Sequence, residues 1–327
     1  SAADGRTPNE NTLYEIGSIS KVFTAVLLAE SVRRGHVTLE DPVERWLPED
    51  VGMPAGETRL ITFLDLTTHF SGLPRLPDNM TWADMEDPYA DYDIELLQAF
   101  LKDHELGREP GESYEYSNLA VGLLGHVLSR VAKETEGGPE EYEALAREWI
   151  WNPMGMSSTT VILNPLIKGR FAPGHDGDGN AAKPWALASL VGAGGIRSSA
   201  KDLLAFGRGF LGDLPSKASA LRPSFAATLV PRREVSEEVW MGLGWHISRD
   251  LTVWQHGGQT GGYHAFLGVE PESDSVVVIL TNASTGVVDG IGWRLLDFFA
   301  GRPVGPLDLP MTVEIAPEDL DRLVGEY

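Results

Sequence analysis

The sequence predicts an α/β protein of the α+β type, in which helices flank an antiparallel sheet and a mostly α-helical region is inserted. Three observations support this fold class. An apolar helix stands near the start of the chain, helical stretches broken by Pro, Gly and Asp fill the middle, and short runs of β-forming residues follow Gly192. Helices and strands therefore occupy separate regions of the chain, which is typical of this class.

The first element is a helix predicted from Ile19 to Arg34. Its sequence is rich in helix formers, Gly17 stands just before it, and Gly35 suits the left-handed conformation that ends many helices. Apolar residues cover nearly the whole circumference of this helix. We therefore expect it to lie buried at the centre of the protein.

Further helices are predicted in the middle of the chain, at Ile94 to Lys102 and at Ser117 to Glu134. Segments rich in Pro, Gly and Asp separate them, and no segment repeats at a fixed period. The region is therefore expected to be mostly α-helical.

Four runs of β-forming residues follow, and a short connection from Glu270 to Asp274 joins the last two as in a hairpin. The strands are therefore expected to be antiparallel. They are predicted at Gly242 to Ile247, Leu251 to Gln255, Tyr263 to Val269 and Ser275 to Thr281.

Two structural units are expected from this order of elements. A final apolar helix at Val287 to Ala300 leads into GRPVGPLDLP, a proline-rich segment typical of a linker. We expect residues 1–55 and 190–302 to form one α/β sheet unit. Residues 56–189 are the inserted helical unit, and residues 303–327 begin with the linker.

Composition and charge exclude several classes of function. The chain has no cysteine, which excludes disulfides, thiolate metal sites and a cysteine nucleophile. Its 48 acidic and 26 basic residues give a net charge of −22, so no nucleic-acid partner is expected. No apolar run approaches the roughly 18 residues of a membrane span, which predicts a soluble chain and leaves cytoplasmic and exported locations both open.

Histidine patterns give no indication of a metal, and no cofactor is expected. The eight histidines contain no HExxH motif. His175 to Asn180 reads HDGDGN and is similar to part of a calcium loop, but the remaining ligands are missing. We interpret this segment as a polar turn.

Two SxxK motifs are present, Ser18 with Lys21 and Ser198 with Lys201. On a helix, this spacing puts the lysine amine within reach of the serine hydroxyl. Ser18 stands at the start of the apolar helix, where the helix N-terminus stabilises negative charge and burial lowers the pKa of a lysine. We therefore predict that Ser18 is a nucleophile and Lys21 its proton-transfer partner.

The second SxxK motif has a structural explanation. Ser199 and Asp202 form an S-x-x-D capping pattern directly before an apolar helical run. Ser198 and Ser199 are therefore predicted to be structural.

Two further segments complete the candidate site. Tyr116 and Asn118 lie at the start of another apolar helix, and a tyrosine hydroxyl beside a lysine can act as a base or relay a proton. A predicted strand ends in His256, Gly257 and Gly258, where glycines let the backbone approach a ligand closely. A backbone N–H that follows can complete an oxyanion hole with that of Ser18.

These three segments, in this order, resemble the serine β-lactamases and penicillin-recognising enzymes. The likeness is to class C β-lactamases, D-aminopeptidases and family VIII carboxylesterases in particular, and it extends from about Leu13 to Asn282. The segments that carry it are LTTHFSGLP, PGESYEYSN, WNPMGMSSTT, GAGGIRSSAKDLLAFG, MGLGWHI and QTGGYHAF.

The resemblance implies a β-lactamase/DD-peptidase-like fold and acyl transfer through an acyl-enzyme on Ser18. It implies that Lys21 and Tyr116 move the serine proton and that Asn118 holds the substrate amide or Lys21. The second oxyanion N–H would belong to Gln259, beside that of Ser18. A small-molecule or peptide substrate is expected, and the oligomeric state is left open.

The third motif departs from the Lys-Thr-Gly of β-lactamases and cell-wall peptidases. Histidine is mostly neutral at pH 7 and Gly257 has no side chain, so a substrate carboxylate would be held less firmly. We therefore expect small esters, amides or peptides as substrates, as in an esterase or D-aminopeptidase. An arginine elsewhere, such as Arg197, is a candidate for the missing cation.

The ends of the chain also depart from the family pattern. Ser18 lies very near the N-terminus, whereas relatives have a helix and two strands before this serine, so we expect truncation or processing. The C-terminal LDRLVGEY resembles the first strand of an appended β-barrel domain, and we interpret it as a stub of that domain.

Two other functions stay open. One is a β-lactamase or D-alanyl-D-alanine carboxypeptidase, and the other is a catalytically silent penicillin-binding or sensor-like module. His264 is a candidate substrate contact after the glycine-rich turn. The acidic segment with Trp82, Tyr89 and Tyr92 is predicted to be a loop over the site.

Overall fold

A computed structural model describes residue 5 and residues 7–306 of the chain. Its helices are α1 (Ser20–Arg33), α2 (Phe63–Thr68), α3 (Ile94–Asp103), α4 (Asn118–Glu136), α5 (Tyr142–Ala146), α6 (Asn152–Met154), α7 (Pro165–Lys168), α8 (Val191–Gly194), α9 (Ala200–Phe210), α10 (Arg222–Thr228) and α11 (Val287–Phe299). Its strands are β1 (Leu13–Glu15), β2 (Gly174–His175), β3 (Ala181–Ala182), β4 (Arg197–Ser199), β5 (Arg233–Glu234), β6 (Val239–Met241), β7 (His246–Ser248), β8 (Trp254–Gln259), β9 (His264–Glu270) and β10 (Ser275–Thr281).

The main sheet has six strands in the order β10-β9-β8-β7-β6-β5, and every neighbouring pair is antiparallel. Ser275 pairs with Glu270 across the predicted hairpin. The prediction of an antiparallel sheet is therefore confirmed, as is the strand from Ser275 to Thr281.

Two predicted strands need correction. The one from Leu251 to Gln255 starts too early, because Leu251 has a φ of +59° and β8 begins at Trp254. Gly242 to Ile247 is not a single strand, because β6 ends at Met241 and β7 begins at His246. Between them Gly244 adopts a φ of +71°, a left-handed conformation that breaks an extended run. A Cβ atom on Gly244 would lie 2.8 Å from the Cβ of Ala25, so this turn packs closely on α1.

The predicted central helix is confirmed. A 3₁₀ turn at Gly17–Ile19 leads into α1, and every residue from Ser20 to Ser31 is buried. The chain then reverses at Gly35, whose φ is +77°. Since α1 packs against α4, α8 and α10, it holds the residues of its first turn at the centre of the protein.

The two helices predicted in the middle region are also confirmed, as α3 and α4. The hydroxyl of Ser117 accepts a hydrogen bond from the backbone N–H of Ala120, which caps the start of α4. The helix ends at Gly137 with a φ of +67°. Asn118 is thus the first residue of a long buried helix.

A two-stranded sheet ties the start of the chain to a distant segment. In it β1 pairs with β4, with Leu13 opposite Ser199 and Glu15 opposite Arg197. One hydrophobic cluster includes Ile16, Leu119 and Leu267, and so joins residues from both predicted units. The division into two units stays a prediction, and residues 307–327 with the predicted β-barrel stub lie outside the described residues.

A membrane-spanning helix must be both long and apolar. In residue 5 and residues 7–306, none of the helices combines the necessary length with the necessary apolar character.

Candidate active site

Ser18 lies in the 3₁₀ turn before α1 and borders a cavity of about 780 Å³. Gly17 makes this position possible, because its φ of +49° is a conformation that residues with a side chain rarely adopt. The backbone N–H of Ile16 is anchored to the carbonyl of Ile196 at 3.1 Å. The serine hydroxyl is thus held at the edge of the cavity by a fixed backbone.

Lys21 is 1% exposed and its amine is surrounded by three oxygen atoms. The Nζ atom lies 2.7 Å from the carbonyl oxygen of Ala193, 2.8 Å from Oδ1 of Asn118 and 3.1 Å from Oγ of Ser18. Burial lowers the pKa of Lys21 well below its ordinary value, and the positive charge of Arg75 lowers it further.

These contacts suit an uncharged amine. A neutral lysine has two N–H groups and one lone pair, and the oxygens of Ala193 and Asn118 accept both N–H groups. The lone pair is then left for the hydroxyl proton of Ser18, 3.1 Å away. Lys21 can therefore accept the proton that a serine nucleophile must lose.

Tyr116 is the second group beside the serine. The Nζ atom of Lys21 lies 4.8 Å from the centroid of the Tyr116 ring. Burial raises the pKa of Tyr116 far above its ordinary value, although a hydrogen bond with Ser18 opposes this change. A phenol that stays protonated can relay a proton but is a poor starting base, so the pKa directions favour Lys21 as the base.

Asn118 connects this group to the acidic loop. Its Oδ1 accepts from Lys21, and its Nδ2 donates to the hydroxyl of Tyr89 at 3.3 Å. Tyr89 borders the cavity, whereas Trp82 and Tyr92 are not among the residues that line it. Of the three aromatic residues in the predicted loop, Tyr89 alone therefore lies beside the cavity.

The predicted end of the third motif needs correction, since β8 runs through His256, Gly257 and Gly258 and ends at Gln259. This strand lies directly against the turn that carries Ser18. A Cβ atom on Gly258 would lie 2.9 Å from the backbone nitrogen of Ser18. A Cβ atom on Gly17 would lie 2.6 Å from the backbone nitrogen of Gln259. The two expected oxyanion N–H groups therefore belong to backbones in close contact.

His256 borders the cavity but supplies no positive charge. It is 2% exposed, and burial lowers its pKa well below the ordinary value, with further lowering by His246 and Lys21. Its Nδ1 atom lies 2.6 Å from the carbonyl oxygen of Gly257. Because a carbonyl only accepts hydrogen bonds, Nδ1 carries the proton and Nε2 is left as an acceptor, without a partner among the described residues.

Two histidines near Tyr116 were not singled out from the sequence. The ring of His69 lies 4.5 Å from that of Tyr116, and its Nδ1 accepts from the backbone N–H of Ser117 at 3.1 Å. His246 lies 3.3 Å from the hydroxyl of Tyr114, and burial lowers its pKa to about 4. Both lie in segments that carry the family resemblance, LTTHFSGLP and MGLGWHI. That resemblance was the signal in the sequence that could have identified them as site residues.

The expectation that Arg197 supplies the missing cation is wrong. Arg197 is 8% exposed and pairs with Glu15 at 2.9 Å, so its charge is already neutralised. Arg75 borders the cavity instead, with its guanidinium 5.2 Å from the centroid of the Tyr116 ring. No carboxylate in the described part of the chain forms an ion pair with Arg75.

A carboxylate, that of Asp289, also borders the cavity. His264 borders the cavity as expected, and its Nε2 donates to Oδ2 of Asp289 at 3.1 Å. Asp289 belongs to the first turn of α11, and its Oδ1 would lie 2.8 Å from a Cβ atom on Gly257. No motif in the sequence points to Asp289, because α11 follows the third motif only after two further strands.

The second SxxK motif lies away from this cavity. Ser199 caps α9 by accepting from the backbone N–H of Asp202, so the predicted capping is confirmed. Ser198 is fully buried and its hydroxyl lies 2.8 Å from that of Thr159. Lys201 is exposed, so the serine and the lysine of this motif are not in contact with a common site.

The HDGDGN segment forms the predicted polar turn between β2 and β3. The carboxylate of Asp176 accepts hydrogen bonds from the backbone N–H groups of Asp178 and Asn180. No group of three or more His, Cys, Asp or Glu side chains that could hold a metal ion is found in the described ranges.

Comparisons with known proteins give a consistent result. A family model described as Beta-lactamase matches residues 1–301. A human protein called putative beta-lactamase-like 1 is 31% identical over an alignment of 287 residues, and the alignment covers 84% of this chain and 54% of the human protein. The chain thus spans about half the length of that relative.

Two bacterial proteins extend the comparison. The D-alanyl-D-alanine-carboxypeptidase/endopeptidase AmpH of Escherichia coli is 24% identical over 315 residues, covering 91% of this chain and 79% of that protein. The crystal structure of a class C beta lactamase from Rhodobacter sphaeroides has a TM-score of 0.72 and 25% identity. That match covers 87% of this chain and 84% of the bacterial one.

Proposed function

The chain belongs to the β-lactamase family of SxxK serine hydrolases, with the fold of a class C β-lactamase, and we propose that it hydrolyses small esters or amides through an acyl-enzyme on Ser18. One observation carries the proposal. The amine of a fully buried lysine lies 3.1 Å from the Ser18 hydroxyl while its other neighbours, Asn118 and Ala193, accept its N–H groups.

In the proposed reaction, Lys21 takes the hydroxyl proton as the Ser18 oxygen attacks the substrate carbonyl carbon. The negative charge that forms on the carbonyl oxygen is held by the backbone N–H groups of Ser18 and Gln259. Lys21 returns the proton through the Tyr116 hydroxyl to the leaving group, whose bond to the carbonyl carbon breaks. Water then gives a proton to the same groups as its oxygen attacks the acyl carbon. The bond from that carbon to Oγ of Ser18 breaks, the proton passes to Oγ, and the carboxylic acid leaves.

The substrate preference follows from the third motif. Lys-Thr-Gly offers a cation and a hydroxyl to a substrate carboxylate, whereas His256 is buried and neutral and Gly257 has no side chain. This supports short esters and neutral amides, as for an esterase or D-aminopeptidase, over β-lactams that carry a carboxylate.

A second candidate function rests on Arg75. This exposed cation borders the cavity and has no carboxylate partner among the residues that the structure describes. It can hold a substrate carboxylate on the wall that carries Tyr116. This observation favours a β-lactamase or D-alanyl-D-alanine carboxypeptidase.

The test is a substrate panel of p-nitrophenyl butyrate, nitrocefin and D-alanine p-nitroanilide, assayed beside a fluorophosphonate label. We expect a stoichiometric adduct on Ser18 and a higher kcat/KM for the ester than for nitrocefin. A preference for nitrocefin would favour the second candidate. The absence of an adduct with every acyl and phosphonyl probe would favour a silent binding module.

A further inference from the structure

The wall of the cleft beside the third motif presents hydrogen-bond acceptors. Asp289 borders the cavity with about half of its side chain exposed, 47%, and it lies against Gly257. The side chain of a threonine at position 257 would occupy the space that the Asp289 carboxylate now holds. The motif therefore lacks a group that attracts carboxylates and has a carboxylate of its own beside it.

The charge of Asp289 is not balanced by a neighbouring cation of the described chain. Its one ion-pair neighbour there is His264, which donates from Nε2 to Oδ2, and Oδ1 has no hydrogen-bond partner. No lysine or arginine in the described ranges forms a salt bridge with it. The residue thus adds a negative charge to the wall of the site.

His256, the residue before Gly257 in β8, provides an independent indication. It is 2% exposed, it borders the cavity, and its Nε2 atom has no partner among the described residues. Since Nδ1 donates to the carbonyl of Gly257, Nε2 is an acceptor. A buried acceptor without a partner costs free energy that a ligand with an N–H donor can recover.

The part of the cavity lining beside Tyr116 has the opposite charge. Arg75 lies over the Tyr116 ring, and Arg75 and Asp289 are the two residues of the cavity lining, other than histidines, that carry a formal charge. An anionic group can therefore be held near Tyr116, whereas the wall with Gly257 attracts a cation.

From this arrangement we infer that Asp289, with His256, forms a subsite for a cationic group of the substrate, such as an ammonium. The inference rests on the proposed hydrolysis at Ser18 and narrows its substrate class. It assigns the selection against substrate carboxylates to Asp289 of α11, a residue outside the three sequence motifs. Asp289 is the specificity-determining residue for this group.

The experiment uses two pairs of substrates that match in shape and differ in charge. One pair is acetylcholine and 3,3-dimethylbutyl acetate, and the other is D-alanine p-nitroanilide and isobutyric acid p-nitroanilide. The quantity measured is the ratio of kcat/KM for the cationic substrate to that for its neutral partner. In the unaltered protein we expect this ratio to exceed one in at least one pair.

The informative variant is Asp289→Asn, which keeps the shape of the side chain and removes its charge. We expect the ratio to fall by about tenfold, the scale of a hydrogen bond to a charged group. Glu237→Gln is the matched control, because Glu237 is exposed in the turn between β5 and β6 and its loss changes the net charge equally. A ratio that is the same in Asp289→Asn and Glu237→Gln for both pairs would overturn the inference.

Two further measurements distinguish a failure of the inference from a failure of the proposed function and from a variant that does not fold. Hydrolysis of the neutral ester by Ser18→Ala would contradict the proposed function, whichever result Asp289 gives. If Asp289→Asn does not fold, competitive inhibition of the unaltered protein decides. Stronger inhibition by butylammonium than by butanol supports the cationic subsite, and equal inhibition contradicts it.

Discussion

A Cβ atom on Gly258 would overlap the carbonyl oxygen of Ile16. The strand that carries the third motif and the turn that carries Ser18 are therefore in backbone contact, and no side chain fits between them. We expect Gly258→Ala to reduce kcat/KM by at least about a hundredfold, because both oxyanion N–H groups must move apart. In Gly107→Ala, where no atom lies within 4 Å of the added carbon, activity should be retained.

The two SxxK motifs should respond differently to the same substitution. Ser18→Ala is expected to abolish hydrolysis and fluorophosphonate labelling without loss of the fold. Ser198→Ala should keep the activity and lose about 1 kcal/mol of stability, because it removes the buried hydrogen bond with Thr159. Equal loss of activity in both variants, with both folded by circular dichroism, would contradict the choice of Ser18.

Lys21→Ala and Tyr116→Phe are each expected to slow acylation by at least about a hundredfold, the usual scale for removing a proton-transfer group. Stopped-flow measurement of the first turnover with p-nitrophenyl butyrate separates acylation from later steps. A burst in Tyr116→Phe as fast as that of the unaltered protein would remove Tyr116 from the mechanism.

The pH dependence should report the ionisation of Lys21. Because the free amine is the active form, kcat/KM is expected to rise with pH through the lowered pKa of Lys21. The positive charge of Arg75 helps to lower this pKa, so Arg75→Gln should raise it and move the rising limb to higher pH. If kcat/KM of Arg75→Gln rises over the same pH range as that of the unaltered protein, Arg75 does not lower the pKa of Lys21.

Acid should destabilise the fold through its buried histidines. Burial lowers the pKa of His69, His246 and His256, and that of His246 falls to about 4. Below a pH of about 6.5 the unfolded chain binds protons that the folded chain excludes, so stability falls as the pH drops from there toward 4. Each such histidine contributes up to about 1.4 kcal/mol per pH unit.

The acid effect can be measured by urea unfolding at pH 7, 6 and 5. In His246→Gln the free energy of unfolding should depend less steeply on pH than in the unaltered protein. An unchanged slope would mean that His246 is already protonated in the folded state.

Much of the fold was predictable because its elements have strong local signals. The apolar circumference of α1 and the helical pattern of α4 predicted both helices to within about two residues. The strand predicted from Gly242 to Ile247 was wrong because Gly244 turns to pack on α1, and that contact depends on a helix far away in the sequence.

In the candidate site, too, local contacts were predictable and contacts between distant segments were not. Ser18 and Lys21 are close in the sequence, so their spacing predicted a contact, and the structure places their atoms 3.1 Å apart. Arg75 and Asp289 stand in no motif, and their positions beside the cavity depend on how distant loops and helices pack. Arg197 is a candidate cation in the sequence, but the sequence does not reveal that Glu15 neutralises its charge.

The pairing of β1 with β4 and the contact between Gly258 and the Ser18 turn also govern when activity arises during synthesis. Ribosomes add about 5–20 residues per second, so Gln259 follows Ser18 by roughly 10–50 s. Throughout that interval the nascent chain has Ser18 and Lys21 but lacks Gln259, whose backbone N–H is the proposed second oxyanion donor. On the proposed mechanism, we therefore expect activity only after β8 has been made and has docked on the start of the chain.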